Sequence, residues 1–327
     1  MGAFFHTTML KKILLSTLCV LMGCVFLLSG YTKAGFPFHY SAPIEPFEYT
    51  FVNLGFINWQ VAPFIARFMI GAEFLIGILL VLNLNLRKTY KLGVGILILF
   101  CIYLILLIII AGNKGDCGCF GSVIKMTPLQ ALIKNAIMLA IFFILYKYHK
   151  GWELNKKYSY LIAIPYATAL ILPFIVNPVE LDYSEAYLNK PEDNYKIELD
   201  SLYKSATLTL PPKTLSQGKH IIAFMSMTCP HCRIAAKKMR IIHERNPQIP
   251  FYFVLNGENK SLKLFFDDTH TDSIPHCILN GKNFIYLAGV SMPRILLINN
   301  STVEHDVNYI DLDQKEVEKW LKGNSIK

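Results

Sequence analysis

The sequence has few charged residues and few cysteines for its length. Charged residues make up 17% of the 327 residues, whereas hydrophobic residues make up 53%, and the mean hydropathy is +0.38. Such a composition excludes an ordinary soluble protein, so part of the chain must lie in lipid. Eight cysteines are too few for a disulfide-dense scaffold, and their spacing is therefore more informative than their number. A repeat of about 20–50 residues and low-complexity tracts are both absent, which excludes solenoids and propellers.

Long apolar runs fill the first part of the chain. A transmembrane helix needs about 20 mostly apolar residues. Five stretches approach this requirement: 13–31, 61–84, 92–111, 128–146 and 158–178. The fifth contains Pro165 and Pro173, which membrane helices tolerate where neighbouring helices satisfy the freed backbone groups. The sequence predicts a membrane α-helical bundle of about five transmembrane helices over residues 1–178.

The net charge of +9 could indicate nucleic-acid binding, but the positions of the basic residues argue for a topological origin. Basic residues cluster on one side of the predicted spans: Lys11, Lys12, Arg87, Lys88, Lys91, Lys147, Lys150, Lys156 and Lys157. The loops on the opposite side contain only Lys33, Lys114 and Lys125. Because cytoplasmic loops collect Lys and Arg, the amino terminus is expected in the cytoplasm and the chain after the fifth span outside it. We expect a multi-pass protein of the cytoplasmic (inner) membrane that does not bind nucleic acid.

The composition becomes that of a soluble domain after a polar connector at 179–194. Alternating helical and strand patterns follow, with strands predicted at 220–227, 250–257, 294–300 and 303–310, and helices at 229–245, 262–266 and 311–322. A β-α-β unit followed by a hairpin and a helix predicts a small mixed sheet with helices on both faces. Residues 195–327 are thus expected to form an extracytoplasmic α/β domain.

A CPHC motif lies where the first of these strands meets a helix. The helix start favours the thiolate of Cys229 through unpaired N–H groups and the helix dipole, and His231 adds to this effect. Cys232 follows about one turn later, where it can attack a mixed disulfide on Cys229 and release the partner protein. The alternative is half of a zinc site, but the domain offers only Cys277 and scattered histidines as further ligands. We therefore predict a redox pair, no metal, and a buried unreactive thiol at Cys277.

The pattern of a strand, CPHC, a helix, a strand, and then Ser291-Met292-Pro293 before another strand resembles the thioredoxin fold over residues 195–327. The resemblance implies that Pro293 follows a cis peptide bond beside the CPHC motif and that Met292 offers its backbone to the substrate chain. CPHC itself is similar to the motif of bacterial periplasmic disulfide oxidases. The strand 220–227 departs from the family pattern because it carries no acidic residue.

A second pair of cysteines follows the third predicted span, in the segment GNKGDCGCFGS. The topology places Cys117 and Cys119 on the same outer side as the CPHC motif. A disulfide between them would close a small strained ring that is competent for exchange, with Gly118 supplying unusual backbone angles. The alternatives are two loop thiols or a soft-metal site for copper or zinc.

Three segments of the membrane half, LLSGYTK (27–33), RFMIGAEFLIGILL (67–80) and CGCFG, resemble the DoxX-like family, most closely its MauE branch. The resemblance covers about residues 10–150. It implies a general role in extracytoplasmic redox chemistry, with a quinone as a terminal electron acceptor. The fusion of a membrane thiol pair to a thioredoxin-like domain also parallels bacterial homologues of vitamin K epoxide reductase, by analogy of arrangement.

Glu73 falls near the middle of the second span, where a lone carboxylate is costly and usually paired or hydrated. It is a candidate site residue, and the favoured interpretation is a structural ion pair with Arg67 or Lys134. The alternative is a cofactor-binding site for a quinone or a proton site. Cys19, Cys24 and Cys101 lie within apolar spans and are expected to be packing residues.

The sequence thus favours a membrane-bound thiol–disulfide oxidoreductase. In this hypothesis electrons pass between Cys229/Cys232 and Cys117/Cys119, and the partners are extracytoplasmic thiol or disulfide proteins. The CPHC motif and the absent acid favour oxidation of these clients. The alternative is a non-enzymatic assembly, maturation or metal-handling factor that captures clients through its thioredoxin-like domain.

Overall fold

A computed structural model describes residues 2–34, 44–53, 57–113, 117–122, 124, 126–151, 163–179, 194–289 and 291–323. The chain divides into two compact units, Met1–Val179 and Glu180–Lys327. Four basic residues of the topology argument, Lys114, Lys125, Lys156 and Lys157, lie outside the described residues, as does most of the predicted connector.

The first unit is a helical bundle. Its elements are α1 (Gly2–Lys33), α2 (Glu45–Asn53), α3 (Ala62–Val81), α4 (Leu86–Ala111), β1 (Cys119–Ser122), α5 (Pro128–Tyr148) and α6 (Ala163–Val176). Among the described residues, α1, α3, α4 and α5 are long and apolar enough to cross a membrane. The chain is therefore a multi-pass membrane protein.

The fifth predicted span differs from the expectation. The helix described there, α6, has 14 residues, which corresponds to about 21 Å and is shorter than a typical span of about 30 Å. Part of the predicted stretch, 158–162, lies outside the described residues. Pro173 lies inside α6 and is tolerated there, as the sequence predicted.

Small residues allow close helix packing in this bundle. A Cβ atom added to Gly77 of α3 would lie 2.6 Å from Leu27 of α1, and one added to Gly71 would lie 2.9 Å from the carbonyl oxygen of Ala169 in α6. Close approach of this kind is how membrane helices gain van der Waals contact where lipid provides no hydrophobic drive. Glycine at these two positions therefore holds α1 and α6 against α3.

α6 runs antiparallel to α3 and ends where α1 ends. Tyr166, near the start of α6, packs against an apolar cluster that includes Leu79 near the end of α3. Arg67, near the start of α3, donates a hydrogen bond of 2.5 Å to the carbonyl of Asn177, just after α6. The Asn177 amide also donates to the carbonyl of Ala34, which follows α1. The chain thus leaves the bundle at the end where α1 terminates.

The second unit is built around a five-stranded mixed sheet. Its elements are α7 (Asp200–Ser205), a 3₁₀ turn (Lys213–Ser216), β2 (Lys219–Ser226), α8 (Pro230–Arg245), β3 (Phe251–Asn256), α9 (Asn259–Thr269), β4 (His276–Ile278), α10 (Lys282–Ala288), β5 (Arg294–Asn299), β6 (Thr302–Val307) and α11 (Gln314–Leu321). The strand order is β4-β3-β2-β5-β6. The central strand β2 pairs parallel with β3 and antiparallel with β5.

The centre of this sheet is apolar. Residues 221–225 of β2 are fully buried, as expected for a strand covered on both faces. The predicted strands and the α/β class are confirmed, and the order of elements is that of a thioredoxin-like domain. The short edge strand β4 was not predicted, because three residues with a proline before them give too little pattern to read.

Candidate functional site

The CPHC motif begins α8 directly after β2. Cys229 is the N-cap residue, and its sulfur accepts a hydrogen bond of 3.4 Å from the backbone N–H of Cys232. Pro230 occupies the first helical turn, where its missing N–H costs nothing. The backbone N–H of Ser226, the last residue of β2, donates to the sulfur of Cys232 at 3.3 Å. The strand end and the helix start thus fix the two sulfurs.

The two thiols of this pair differ in access. Cys229 is half-buried, whereas Cys232 is fully buried. Burial raises the pKa of the Cys232 thiol well above its usual range, and the hydrogen bond with Cys229 adds to this increase. Because the thiolate is the attacking form, this geometry suits Cys229 for attack on a client and Cys232 for internal resolution.

Met292 and Pro293 lie at the same end of the sheet. Arg294 of β5 pairs with Phe224 of β2, so continuing the antiparallel register sets Pro293 opposite Met225, close to the start of the CPHC motif. The peptide bond between Met292 and Pro293 is cis, as the resemblance implied. The structure therefore brings four of the predicted site residues, Met292, Pro293, Cys229 and Cys232, to one edge of the domain.

His231 faces a loop that a buried lysine holds in place. The ring of His231 lies 6.1 Å from the ring of Tyr309 between centroids. Lys238, which is buried two turns further along α8, donates to the carbonyls of Tyr309 at 2.9 Å and Ile310 at 2.8 Å. The sequence analysis did not identify Lys238 as part of this region. Its seven-residue spacing from His231 on one helix is the only pattern that could have indicated it.

Cys277 behaves as a structural thiol. It lies in β4 and is fully buried. Burial raises the pKa of the Cys277 thiol to about 11, which keeps it protonated. Among the residues that the structure describes, no group of three or more His, Cys, Asp or Glu side chains lies together as a metal site would require.

The cysteine pair of the membrane unit lies in a tight loop before and within β1. Gly118 between the two cysteines has a φ of +68°, and a Cβ atom added there would lie 2.6 Å from the Thr50 side chain. The backbone N–H of Cys117 donates to the carbonyl of Met126 at 2.9 Å, and that of Cys119 to the Cys117 sulfur at 3.4 Å. Glycine is therefore required at position 118 both for the backbone angle and for the close packing.

The Cys119 thiol is more acidic than an ordinary cysteine thiol. Both cysteines are buried. A hydrogen bond from Cys117 and the positive charges of Lys134 and Lys33 lower the pKa of the Cys119 thiol to about 7, against the opposing effects of burial and of Glu73. Cys119 can therefore supply a thiolate near neutral pH, with Cys117 as the hydrogen-bond donor that stabilises it.

Glu73 forms an ion pair with a residue that the sequence did not predict. Its Oε1 lies 2.6 Å from the Nζ of Lys33, and both side chains are buried. The Lys33 Nζ also donates to Ser29 Oγ at 3.1 Å, and Ser29 Oγ lies within hydrogen-bonding distance of both Glu73 Oε1 (3.2 Å) and the carbonyl of Cys119 (3.1 Å). The prediction of Arg67 or Lys134 as the partner of Glu73 is wrong.

The reason is that α1 continues to Lys33, beyond the predicted span end at 31. Lys33 was therefore counted as a loop charge, although Ser29 and Lys33 are four residues apart and share a helix face. Arg67 pairs instead with Glu48 of α2 at 2.5 Å and donates to three backbone carbonyls, those of Pro63, Asn177 and Pro178. The Nζ of Lys134 lies 4.5 Å from the centre of the Phe120 ring.

A small cavity adjoins this network. It has a volume of about 20 Å³, and its polar lining comprises Ser29, Lys33, Glu73, Cys119, Lys134 and Asn135. That volume admits about one water molecule. A quinone ring needs far more room. The cavity connects the candidate carboxylate in the bundle with the candidate thiol in the loop.

Comparison with known proteins agrees with this division into two parts. Residues 11–148 match the family described as methylamine utilisation protein MauE, and the membrane unit is a MauE-family domain. The broader DoxX-like affiliation remains a prediction. A curated relative, Protein TlpB of Flavobacterium psychrophilum, is 29% identical over 297 residues, which cover 77% of this chain and 79% of the relative. The similarity to that protein thus extends well beyond the membrane unit.

Two solved structures are similar to part of the chain. One is the thioredoxin domain of a thiol-disulfide oxidoreductase from Bacteroides vulgatus, with 15% identity, a TM-score of 0.30, and coverage of 33% of this chain and 84% of that chain. The other is a secreted disulfide oxidoreductase of Mycobacterium tuberculosis, with 16% identity, a TM-score of 0.30, and coverage of 38% and 98%. The thioredoxin-like assignment rests on the strand order and on the position of the CPHC motif, not on these scores.

Proposed function

We propose that this protein, a MauE-family membrane domain fused to a thioredoxin-like domain, is a membrane-bound thiol–disulfide oxidoreductase. Cys229 and Cys232 exchange with thiol or disulfide proteins outside the cytoplasm, and Cys117 and Cys119 exchange with Cys229 and Cys232. The observation that carries the proposal is the asymmetry of the CPHC pair. A half-buried Cys229 at a helix start, backed by a buried Cys232, supports an attacking and a resolving thiol.

The exchange between the two pairs needs no further reactant. A thiolate of one pair attacks the disulfide of the other, so that one S–S bond forms as one breaks and the leaving sulfur takes up a proton. The second thiol of the attacking pair then displaces the mixed disulfide. Two electrons and two protons pass from the dithiol to the disulfide, and each pair ends in the state that the other had.

The course of the chain supports an encounter on one side of the membrane. α6 ends where α1 ends, and β1 with Cys119 packs on α1 through Ser29. The fourteen residues from 180 to 193 then lead to the second unit, and a chain of that length reaches at most about 45–50 Å. Tethering of this kind replaces a bimolecular encounter by a high effective concentration.

The direction we propose is oxidation of client dithiols, because the CPHC motif resembles that of disulfide oxidases and no acidic residue lies in β2. The reduced CPHC pair then passes its electrons to the disulfide of Cys117 and Cys119. A quinone as the acceptor from that pair is supported by the family resemblance alone. The membrane is the cytoplasmic membrane, with the second unit outside, on the charge asymmetry of the loops.

Trapping the mixed disulfide tests the proposal. The full chain would carry Cys232→Ala together with either Cys117→Ala or Cys119→Ala, and a protease site introduced between 180 and 193. After exposure to a mild oxidant and cleavage, non-reducing electrophoresis should show a covalent link between the two fragments that reductant removes. One of the two combinations should give the link, since an exchange passes through one sulfur of each pair.

Cys232→Ala with Cys101→Ala serves as the control, because both membrane thiols remain and resolve the link. If neither trapping combination yields a link under oxidising or reducing conditions, the pairs do not exchange directly. The assembly or metal-handling hypothesis then becomes the better one.

A further inference from the structure

We propose that Glu73 is the proton acceptor for Cys119, acting through a water molecule in the cavity between them. This inference rests on the proposed function, because it assigns how the reduced membrane pair loses a proton when it is re-oxidised after taking electrons from Cys229 and Cys232. It gives Glu73 a partner and a chemical task beyond a structural ion pair.

The first support is an unused carboxylate oxygen. Oε1 of Glu73 accepts from Lys33, whereas Oε2 is buried and has no hydrogen-bond partner among the described residues. A buried carboxylate oxygen without a partner costs free energy unless water or a proton satisfies it. Glu73 lines a cavity that admits about one water molecule, and Cys119 lines the same cavity. A water there would join the two groups.

The second support is a direct link through Ser29. Its hydroxyl lies 3.2 Å from Glu73 Oε1 and 3.1 Å from the carbonyl oxygen of Cys119. The loop that carries the thiol is thereby tied to the helix face that carries the carboxylate. Such a connection keeps the donor and the acceptor at a fixed separation, as general-base catalysis requires.

The groups that act on Cys119 lie on its own loop and on four helices of the unit. The titratable groups that act on it or on the network are Cys117 of its own loop, Lys33 of α1, Glu73 of α3, Cys101 of α4 and Lys134 of α5. The two lysines stabilise the thiolate that remains after the proton has left. Glu73 has the opposite electrostatic effect on the thiolate, so its presence is not explained by stabilisation of the thiolate.

The step balances as follows. The S–H bond of Cys119 breaks, its proton passes through the water to a carboxylate oxygen of Glu73, and the electron pair stays on sulfur. With hydroxyethyl disulfide as the oxidant, or with the CPHC disulfide when the exchange runs in reverse, the thiolate forms an S–S bond with one sulfur of that disulfide, and the other sulfur leaves with the electron pair of the broken bond. That leaving thiolate takes a proton from the aqueous phase, and Glu73 later returns its proton there.

Removing the carboxylate therefore has two separable effects. Glu73→Gln takes away a negative charge, so more Cys119 is thiolate at a given pH. The same change removes the proton acceptor, so oxidation of the pair slows. If Glu73 were only a structural ion-pair partner, a correctly folded Glu73→Gln variant would not be oxidised more slowly, because the oxidation rate would follow the fraction of Cys119 that is thiolate.

The test uses the full-length chain in a Cys229→Ser/Cys232→Ser background, with hydroxyethyl disulfide as a small uncharged oxidant. Mass spectrometry follows both the oxidation of Cys117 and Cys119 and the pH profile of iodoacetamide labelling at Cys119. Glu73→Gln should shift the labelling midpoint, which lies at about 7 in the unmodified chain, to lower pH. At about pH 5, where only about 1% of Cys119 is preformed thiolate, the same change should slow the oxidation by about tenfold. Glu73→Asp should restore part of the rate.

Glu48→Gln is the matched control, since Glu48 is also a mostly buried ion-pair carboxylate but does not line the cavity. Oxidation of Glu73→Gln at the unmodified rate, or equal slowing in both variants, would overturn the proposal. If Glu73→Gln does not fold, Lys33→Met/Glu73→Gln removes the acceptor without leaving a buried lysine unpaired. Because Lys33 also favours the Cys119 thiolate, the oxidation of this variant should then be slower than the thiolate fraction from its own labelling profile accounts for. The background lacks the CPHC pair, so a failed relay between the units cannot be mistaken for a failure here.

Discussion

The sulfur of Cys229 accepts a hydrogen bond of 3.4 Å from the backbone N–H of Cys232, whose own sulfur is fully buried. A reagent in solution therefore reaches Cys229 before Cys232.

In the reduced protein, iodoacetamide should modify Cys229 at least about tenfold faster than Cys232 at neutral pH, because only the accessible thiolate reacts. Since burial raises the pKa of the Cys232 thiol, its labelling should stay low even at about pH 9. Peptide mass spectrometry over a time course measures both rates. Cys277, also buried, should remain unmodified and serves as the internal control. Equal rates at Cys229 and Cys232 would contradict the assigned roles.

The acidity of Cys119 depends on its neighbour in the loop. The hydrogen bond from Cys117 lowers the pKa of the Cys119 thiol, which lies at about 7. Cys117→Ala should raise the midpoint of Cys119 alkylation by about one pH unit, whereas Cys117→Ser, which keeps a donor, should raise it less. The labelling rate at pH 7 should fall accordingly.

Lys134→Met should raise the same midpoint, because a positive charge that favours the thiolate is lost. Lys147→Met at the end of the same helix is the control, since Lys147 lies over the Tyr148 ring. A midpoint that stays near 7 in both Cys117→Ala and Lys134→Met would show that neither group sets the acidity of Cys119.

The sequence predicted those parts of the fold that depend on local pattern. Four apolar spans, the strands of the mixed sheet, and the place of the CPHC motif at a strand-to-helix junction all follow from hydrophobic periodicity and spacing. The fifth span could not be judged in the same way. An apolar stretch with two prolines is compatible with a short helix as well as with a full span, and α6 has 14 described residues.

The candidate site was predicted where its residues are close in sequence and missed where they meet only in space. Cys117 and Cys119 are two residues apart, and the CPHC motif is contiguous. The network of Ser29, Lys33 and Glu73 joins α1 to α3 over 40 residues or more, so no spacing rule could reveal it. A lysine at a predicted span end reads as a surface charge until the packing of the helices is known.

Topology is the next expectation that labelling can check. Ile124, after β1, and Lys88, at the start of α4, are both exposed and lie near opposite ends of α4 and α5. In sealed right-side-out vesicles, an impermeant maleimide should label Ile124→Cys at once but Lys88→Cys only after permeabilisation. Tyr286→Cys, on the exposed face of the second unit, should behave like Ile124→Cys. Labelling of Lys88→Cys alone would reverse the orientation.

The buried ion pair between Lys33 and Glu73 makes a prediction about stability. Lys33 Nζ lies against the rings of Phe47 and Phe100, at 4.7 and 5.2 Å from their centroids, and the lysine is buried. Lys33→Met leaves the Glu73 carboxylate buried without its cation, which should cost about 3–5 kcal/mol of unfolding free energy. Lys33→Met/Glu73→Gln should recover most of that loss, because no unpaired charge remains. Unfolding of the detergent-solubilised protein, evaluated as a double-mutant cycle, measures the recovery.

The pair of Arg67 and Glu48 provides the contrast. Arg67 also donates to the carbonyls of Pro63, Asn177 and Pro178, and these hydrogen bonds are lost when the guanidinium is removed. Arg67→Met should therefore destabilise the protein, and adding Glu48→Gln should recover little, because it does not restore these hydrogen bonds. If the Lys33 and Glu73 cycle recovers no more unfolding free energy than the Arg67 and Glu48 cycle, the destabilisation of Lys33→Met is not caused by the unpaired charge of Glu73. In that case the destabilisation comes from lost packing of Lys33 against the two aromatic rings.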